Sequence, residues 1–136
     1  MMTIARMFPV VVGCALALPA LAQEDEFSAG REEYLAACAA CHGENADGNG
    51  PIATMFTTPV PDLLKISARN EGVFPLLDVF HIIDGRTEVK AHGNPMPVFG
   101  NRYEAEAGES AGPYGPEAQV RARVLELVYY LQSIQE

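Results

Sequence analysis

The chain reads as an all-α protein. Three observations predict this. Three segments carry helix signals, two of them with apolar residues at helical spacing, no stretch alternates apolar and polar residues as a half-buried strand would, and the connecting segments are rich in glycine and proline. The first helix is expected from about Ser28 to Ala40, with Ser28 as N-cap and Glu32 and Glu33 in the early turns, where the helix dipole favours negative charge. A short helical turn is expected around Asp62 to Ile66. The second long helix follows Pro75, with Leu76, Val79, Phe80 and Ile83 at i, i+3, i+4 and i+7, and stops at Gly85, a natural residue just past a helix end. The third begins near Gly115-Pro116-Glu117 and runs to the last residues, with Val120, Val124, Leu127, Leu131 and Ile134 on one apolar stripe. Gly43 to Pro51 reads as a turn-rich loop, Ala91 to Gly100 as a connector holding two prolines and two glycines, and Glu104 to Gly115 as an acidic surface loop.

The first 22 residues have the form of a cleaved secretory signal peptide. Arg6 is the only charge before an apolar run from Met7 to Leu18. Ala20-Leu21-Ala22 then supplies a small-x-small cleavage pattern, followed at once by Gln23-Glu24-Asp25-Glu26. The run is too short and wrongly flanked for a stable membrane span. Val11-Val12-Gly13-Cys14 resembles a lipobox, which makes lipid anchoring at Cys14 a minor alternative; the apolar run continues past Cys14, where a lipoprotein would turn polar. Both routes lead out of the cytoplasm, and the expected location is the periplasm. No later apolar run is long enough to span a bilayer. Cleavage leaves residues 23–136 as one domain, with a loop insertion near 104–116. The formal charge of −9 becomes −10 once Arg6 is lost. That balance argues against nucleic acid and anionic membrane surfaces and suits partners that present basic docking patches.

The chemistry concentrates in Cys38-Ala39-Ala40-Cys41-His42. A C-x-x-C-H run reads as a c-type haem attachment site. If the run is helical, Cys38, Cys41 and His42 stand at i, i+3 and i+4 on one face. Two thiols there can form thioethers with the two vinyl groups of one haem, while His42 turns a ring nitrogen toward the iron. A zinc site would need a further ligand pair at suitable spacing, and none is present. A redox dithiol would need a βαβ context. A plain Cys38–Cys41 disulfide is the remaining bland reading in an oxidising compartment.

With that motif at the end of an N-terminal helix, residues of roughly Ser28 to Gln135 resemble the class I, single-haem cytochrome c family. The resemblance implies a small cytochrome c-like fold with crossing N- and C-terminal helices and haem-enclosing loops. Gly30 and Tyr34, eight and four residues before Cys38, match the family's glycine and aromatic at that crossing, and Tyr130 would be the aromatic facing them. The family's proline whose carbonyl accepts a hydrogen bond from the ligand histidine would be Pro51, in Gly48-Asn49-Gly50-Pro51. Met96, in Gly93-Asn94-Pro95-Met96-Pro97, resembles the family's axial-methionine loop and would be the sixth ligand. Its flanking prolines also stiffen the segment that would present the sulfur. Met55 is expected to fill core, and His92 competes with Met96 as a ligand. His81 lies off its helix's stripe. Arg86, Lys65, Arg69 and Tyr103 are candidates for contacts to the haem propionates.

The resemblance implies one covalent haem c whose iron relays single electrons between redox partner proteins, with no catalytic residue. The alternatives are a dedicated haem subunit of a periplasmic dehydrogenase or oxidase, and a haem enzyme or gas binder with an open sixth site.

Overall fold

A computed structural model describes residues 26–85, 99–107 and 115–136, and within them every regular element is helical. The leader with Cys14, Arg86, His92 and Met96 lie outside the described residues.

Helix α1 spans Ser28–Ala37, and its cap position is Phe27, whose carbonyl accepts from the Arg31 amide at 2.9 Å. Ser28 is therefore the first helical residue and not the cap. The expected continuous helix to Ala40 is also corrected. The backbone breaks at Cys38 (φ −116°, ψ −34°) and resumes as α2, Ala39–His42. The amides of both Cys41 and His42 converge on the Cys38 carbonyl, at 3.1 and 2.9 Å, which tightens the turn without ending it.

Helix α3, Leu76–Asp84, starts directly after Pro75 and ends at Gly85, whose φ of 84° lets its amide reach back to the His81 carbonyl. Val79 and Ile83 are buried, with Leu76 and Phe80 packed at the edge of the core. The expected turn after Asp62 is a 3-10 turn, Leu63–Lys65, in which the Asp62 carboxylate accepts from the Leu64 amide at 2.8 Å.

A further helix, α4, spans Phe99–Ala107, where the sequence reads as connector and acidic loop. Phe99 and Tyr103, at i and i+4, are both buried, and on the outer side Arg102 pairs with Glu106 at 2.9 Å. Residues 104–107 thus belong to a helix and not to the loop.

Helix α5, Gly115–Ser133, packs against α1, α3 and α4. Val120, Val124, Leu127 and Leu131 are buried as expected, and Val128 joins them. Three neighbours demand a wider apolar face than a single stripe. At the crossing with α1, a Cβ on Gly30 would overlap the Glu126 carbonyl and come within 2.7 Å of the Tyr130 Cβ. Only a residue without a side chain lets the helices approach this closely. Beside it the Tyr34 and Tyr130 rings lie 5.4 Å apart, tilted by 48°.

Past α5 the chain folds back onto the 63–67 segment. Gln135 donates to the Leu63 carbonyl at 2.8 Å and accepts from the Ser67 amide at 2.9 Å, the Glu136 amide reaches the Leu64 carbonyl, and Lys65 pairs with the Glu136 carboxylate.

Candidate functional site

The site is built on the C-terminal end of α2. A helix leaves its last carbonyls without partners of its own, and here a loop supplies them. The Gly43 amide bonds to Ala39, Ile52 to Ala40, Gly50 to Cys41 and Gly48 to His42, at 2.8 to 3.1 Å. The Gly43 carbonyl accepts from the Ala46 amide and from the Tyr34 hydroxyl, at 3.1 and 2.5 Å. The loop lies so close over α2 that a Cβ on Gly50 would overlap the carbonyls of Ala40 and Cys41. The glycines of 43–50 serve this close return of the chain.

This arrangement corrects the expected role of Pro51. The segment from Gly48 to Ile52 is spent on the backbone of α2, and Pro51 stands exposed on its turn. The partner of His42 is the carbonyl of Pro61, 3.1 Å from Nδ1 and 19 residues along the chain. Several bonds fix that carbonyl's neighbourhood: Leu63 donates to the Ala46 carbonyl, the Asp62 side chain caps the following turn, and Arg69 donates to the Asp62 carbonyl at 2.7 Å. The bond to Pro61 commits Nδ1 as the protonated nitrogen and leaves Nε2 as the one able to ligate. His42 is only 6% exposed. Burial pulls its pKa below the ordinary value, opposed by the Pro61 carbonyl, so the ring is neutral at pH 7, the form a metal ligand requires.

Cys38 and Cys41 carry free thiols, so the structure contains no Cys38–Cys41 disulfide. Burial, aided by Cys41 and Glu33, pushes the Cys38 thiol up to about 12. It is protonated at neutral pH, unlike a poised redox thiolate. Among the described residues no group of three or more His, Cys, Asp or Glu side chains could hold a metal ion.

The remaining candidates scatter. Met55, expected in the core, is 77% exposed on the 3-10 turn Ala53–Met55, because the segment after Pro51 runs over the outside of α2. Lys65 is held by Glu136, and Arg69 by the Asp62 carbonyl. His81 is half-buried against Phe80, with ring centroids 6.0 Å apart. Tyr103 is buried beneath Arg123, whose guanidinium carbon sits 3.9 Å from the ring centroid.

Sequence reasoning missed that cluster. Arg123 on α5 is bidentate to Glu33 on α1, at 2.7 and 3.0 Å, and donates to Glu106 on α4 at 2.9 Å. Glu33 and Arg123 lie 90 residues apart, and a single sequence carries no signal for such a pair.

The donor set fits a covalently held haem. Two free thiols occupy one turn together with an imidazole whose Nδ1 is engaged, and among the described residues nothing bonds to its Nε2. A sequence model of the cytochrome c family matches residues 27–135, and the chain belongs to that family. It is a haem-binding electron-transfer protein of the c type, its haem c held covalently. Comparisons with curated proteins and with solved structures give no match. No helix of the described residues is long and apolar enough to cross a membrane.

Proposed function

We propose that this cytochrome is an exported, single-haem electron carrier in which Cys38 and Cys41 hold the haem, His42 Nε2 is the proximal ligand and Met96 the sixth. The observation that carries the reading is the buried His42, its Nδ1 tied to Pro61, in the same turn as two free thiols. The haem supplies an iron that exchanges one electron; the chain's part is to hold, orient and cover it. Tyr34 and the 43–52 loop fix the backbone of the attachment turn, and the Pro61 carbonyl orients the imidazole and raises its basicity. The signal-like leader supports export to the periplasm, and the acidic charge supports partners with basic docking patches.

The test is the spectrum of the holoprotein, with cyanide added to the ferric form and carbon monoxide to the reduced form. A methionine–iron charge-transfer band with slow ligand uptake is expected. Met96→Ala should abolish the band and lower the reduction potential, while Met55→Ala should leave both nearly intact. A high-spin ferric spectrum with rapid cyanide binding would refute the carrier.

A further inference from the structure

The Pro61 carbonyl that meets His42 Nδ1 follows a segment with little hold of its own. Among the described residues no hydrogen bond restrains Thr57 to Val60, and neither Pro59 nor Pro61 has an amide hydrogen to donate. The restraint comes from behind and from downstream. Gly48 backs the peptide: a Cβ there would stand 2.6 Å from the Val60 carbonyl oxygen and 3.3 Å from the Pro61 carbonyl carbon. Past Pro61 the backbone is engaged residue by residue. The Asp62 carbonyl accepts from Arg69, the Leu63 amide donates to the Ala46 carbonyl at 2.7 Å, and the Asp62 carboxylate accepts from the Leu64 amide.

From 72 residues away, Gln135 closes this clamp. Its Nε2 donates to the Leu63 carbonyl at 2.8 Å and to the Leu131 carbonyl of α5 at 2.6 Å, while its Oε1 accepts from the Ser67 amide at 2.9 Å. Both amide hydrogens and the oxygen are used, a pattern that only a carboxamide satisfies. The Leu131 carbonyl is one that the last turn of α5 leaves without a helical partner, so the bond braces the side chain against the helix end. Gln135 is half-buried, and water competes for its bonds less than for the exposed Lys65–Glu136 pair beside them. Leu63, two residues after Pro61, is thus gripped by the loop over α2 at its amide and by Gln135 at its carbonyl.

We propose that Gln135 is a positioning residue for the iron's histidine ligand: by tying Leu63 and Ser67 to the end of α5 it holds the Pro61 carbonyl on His42 Nδ1, and so sets how often that bond opens. The proposal rests on His42 being that ligand. Loss of the clamp lets Pro61 draw away from the ring. The imidazole then becomes a weaker base toward iron, which destabilises the ferric form and raises the reduction potential. General loosening acts in the opposite sense, because water near the haem favours the more highly charged ferric state. The sign of the change separates the two.

Two measurements on the holoprotein read this: the reduction potential, and deuterium exchange of the His42 Nδ1 proton in the ferrous form, followed by NMR. Gln135→Met keeps the bulk and removes the three bonds. It should speed the exchange by roughly tenfold. It should also shift the ferric-to-ferrous balance by roughly threefold toward ferrous, a rise of about 28 mV at roughly 59 mV per tenfold. Val124→Ala, buried about three turns earlier on α5, supplies a global destabilisation matched by urea unfolding. Faster exchange with a raised potential in Gln135→Met, and neither in Val124→Ala at equal loss of stability, supports the proposal. Any other combination overturns it. Should Gln135→Met give no holoprotein, Gln135→Asn, one methylene too short to meet all three partners, decides by the same criteria. The ring protons of His42 separate the two levels, since a histidine bound to ferrous haem has them displaced upfield by the ring current. Unshifted protons refute the ligand on which the proposal rests, irrespective of how the Gln135 variants behave. Shifted protons with no response in Gln135→Met refute the proposal alone.

Discussion

Tyr34 shows how one hydroxyl can matter within an apolar core. Its ring is fully buried against Tyr130, a job phenylalanine would do as well. The hydroxyl reaches the Gly43 carbonyl, immediately after His42. Tyr34→Phe keeps the packing and removes that bond, while Gly43 retains the Ala46 amide. A loss of about 1 kcal/mol is expected, read as a lower urea midpoint at unchanged slope. The ring was legible in the sequence, four residues before the first thiol, but its hydrogen bond was not, because the Gly43 carbonyl is brought there only by the folded loop. The histidine's partner was illegible for a related reason. Pro51 and Pro61 are both prolines in turn-prone segments, and what separates them is placement: bonds from Gly50 and Ile52 to α2 hold Pro51 on an exposed turn, whereas the Pro61 carbonyl stands 3.1 Å from His42 Nδ1. The useful sequence signal was the capping Asp62 that follows Pro61, which marks a turn held on both sides.

At the scale of elements, α3 and α5 were readable because each carries several apolar positions in helical register and a clear boundary residue, whereas α1 was readable as a helix but not at its ends, where Phe27 and not Ser28 is the cap and the backbone breaks at Cys38. Helix α4 was not. It shows only Phe99 and Tyr103 on its inner face, has Gly100 in its first turn and stands beside two prolines. Packing holds it: Phe99 and Tyr103 in the core, and Gly100 against α3. A Cβ on Gly100 would sit 2.5 Å from the Asp84 carbonyl oxygen and 2.7 Å from its carboxylate. Gly100→Ala should therefore push α4 from α3 and lower stability by about 2 kcal/mol in urea unfolding, although alanine is the better helix former. Asn101→Ala, one residue on and exposed, should be neutral or slightly stabilising. If both substitutions prove neutral, the close seat of the two helices is not what holds α4.

For the whole molecule, the two buried phenols predict a response to base. Burial, with Cys38 as the next cause, raises Tyr34 above the ordinary 10.0; burial and the Glu33 carboxylate do the same for Tyr103. A group whose folded pKa is raised contributes stability in full below its unfolded pKa and loses it as pH climbs toward the folded value. The holoprotein's urea midpoint should thus hold level up to about pH 10 and fall beyond it. In a Tyr34→Phe/Tyr103→Phe double variant the fall should be shallower. An equal fall in both proteins would assign the base sensitivity elsewhere.

The loop that folds back over α2 also bears on the order of folding. The Tyr34–Gly43 bond closes only nine residues, whereas the Glu33–Arg123 junction between α1 and α5 closes ninety. Chain entropy makes the longer closure costlier by about 2 kcal/mol. The turn that presents Cys38, Cys41 and His42 can therefore take shape while the residues of α5 are still unsynthesised or unfolded, and the helix crossing then closes around a turn already formed.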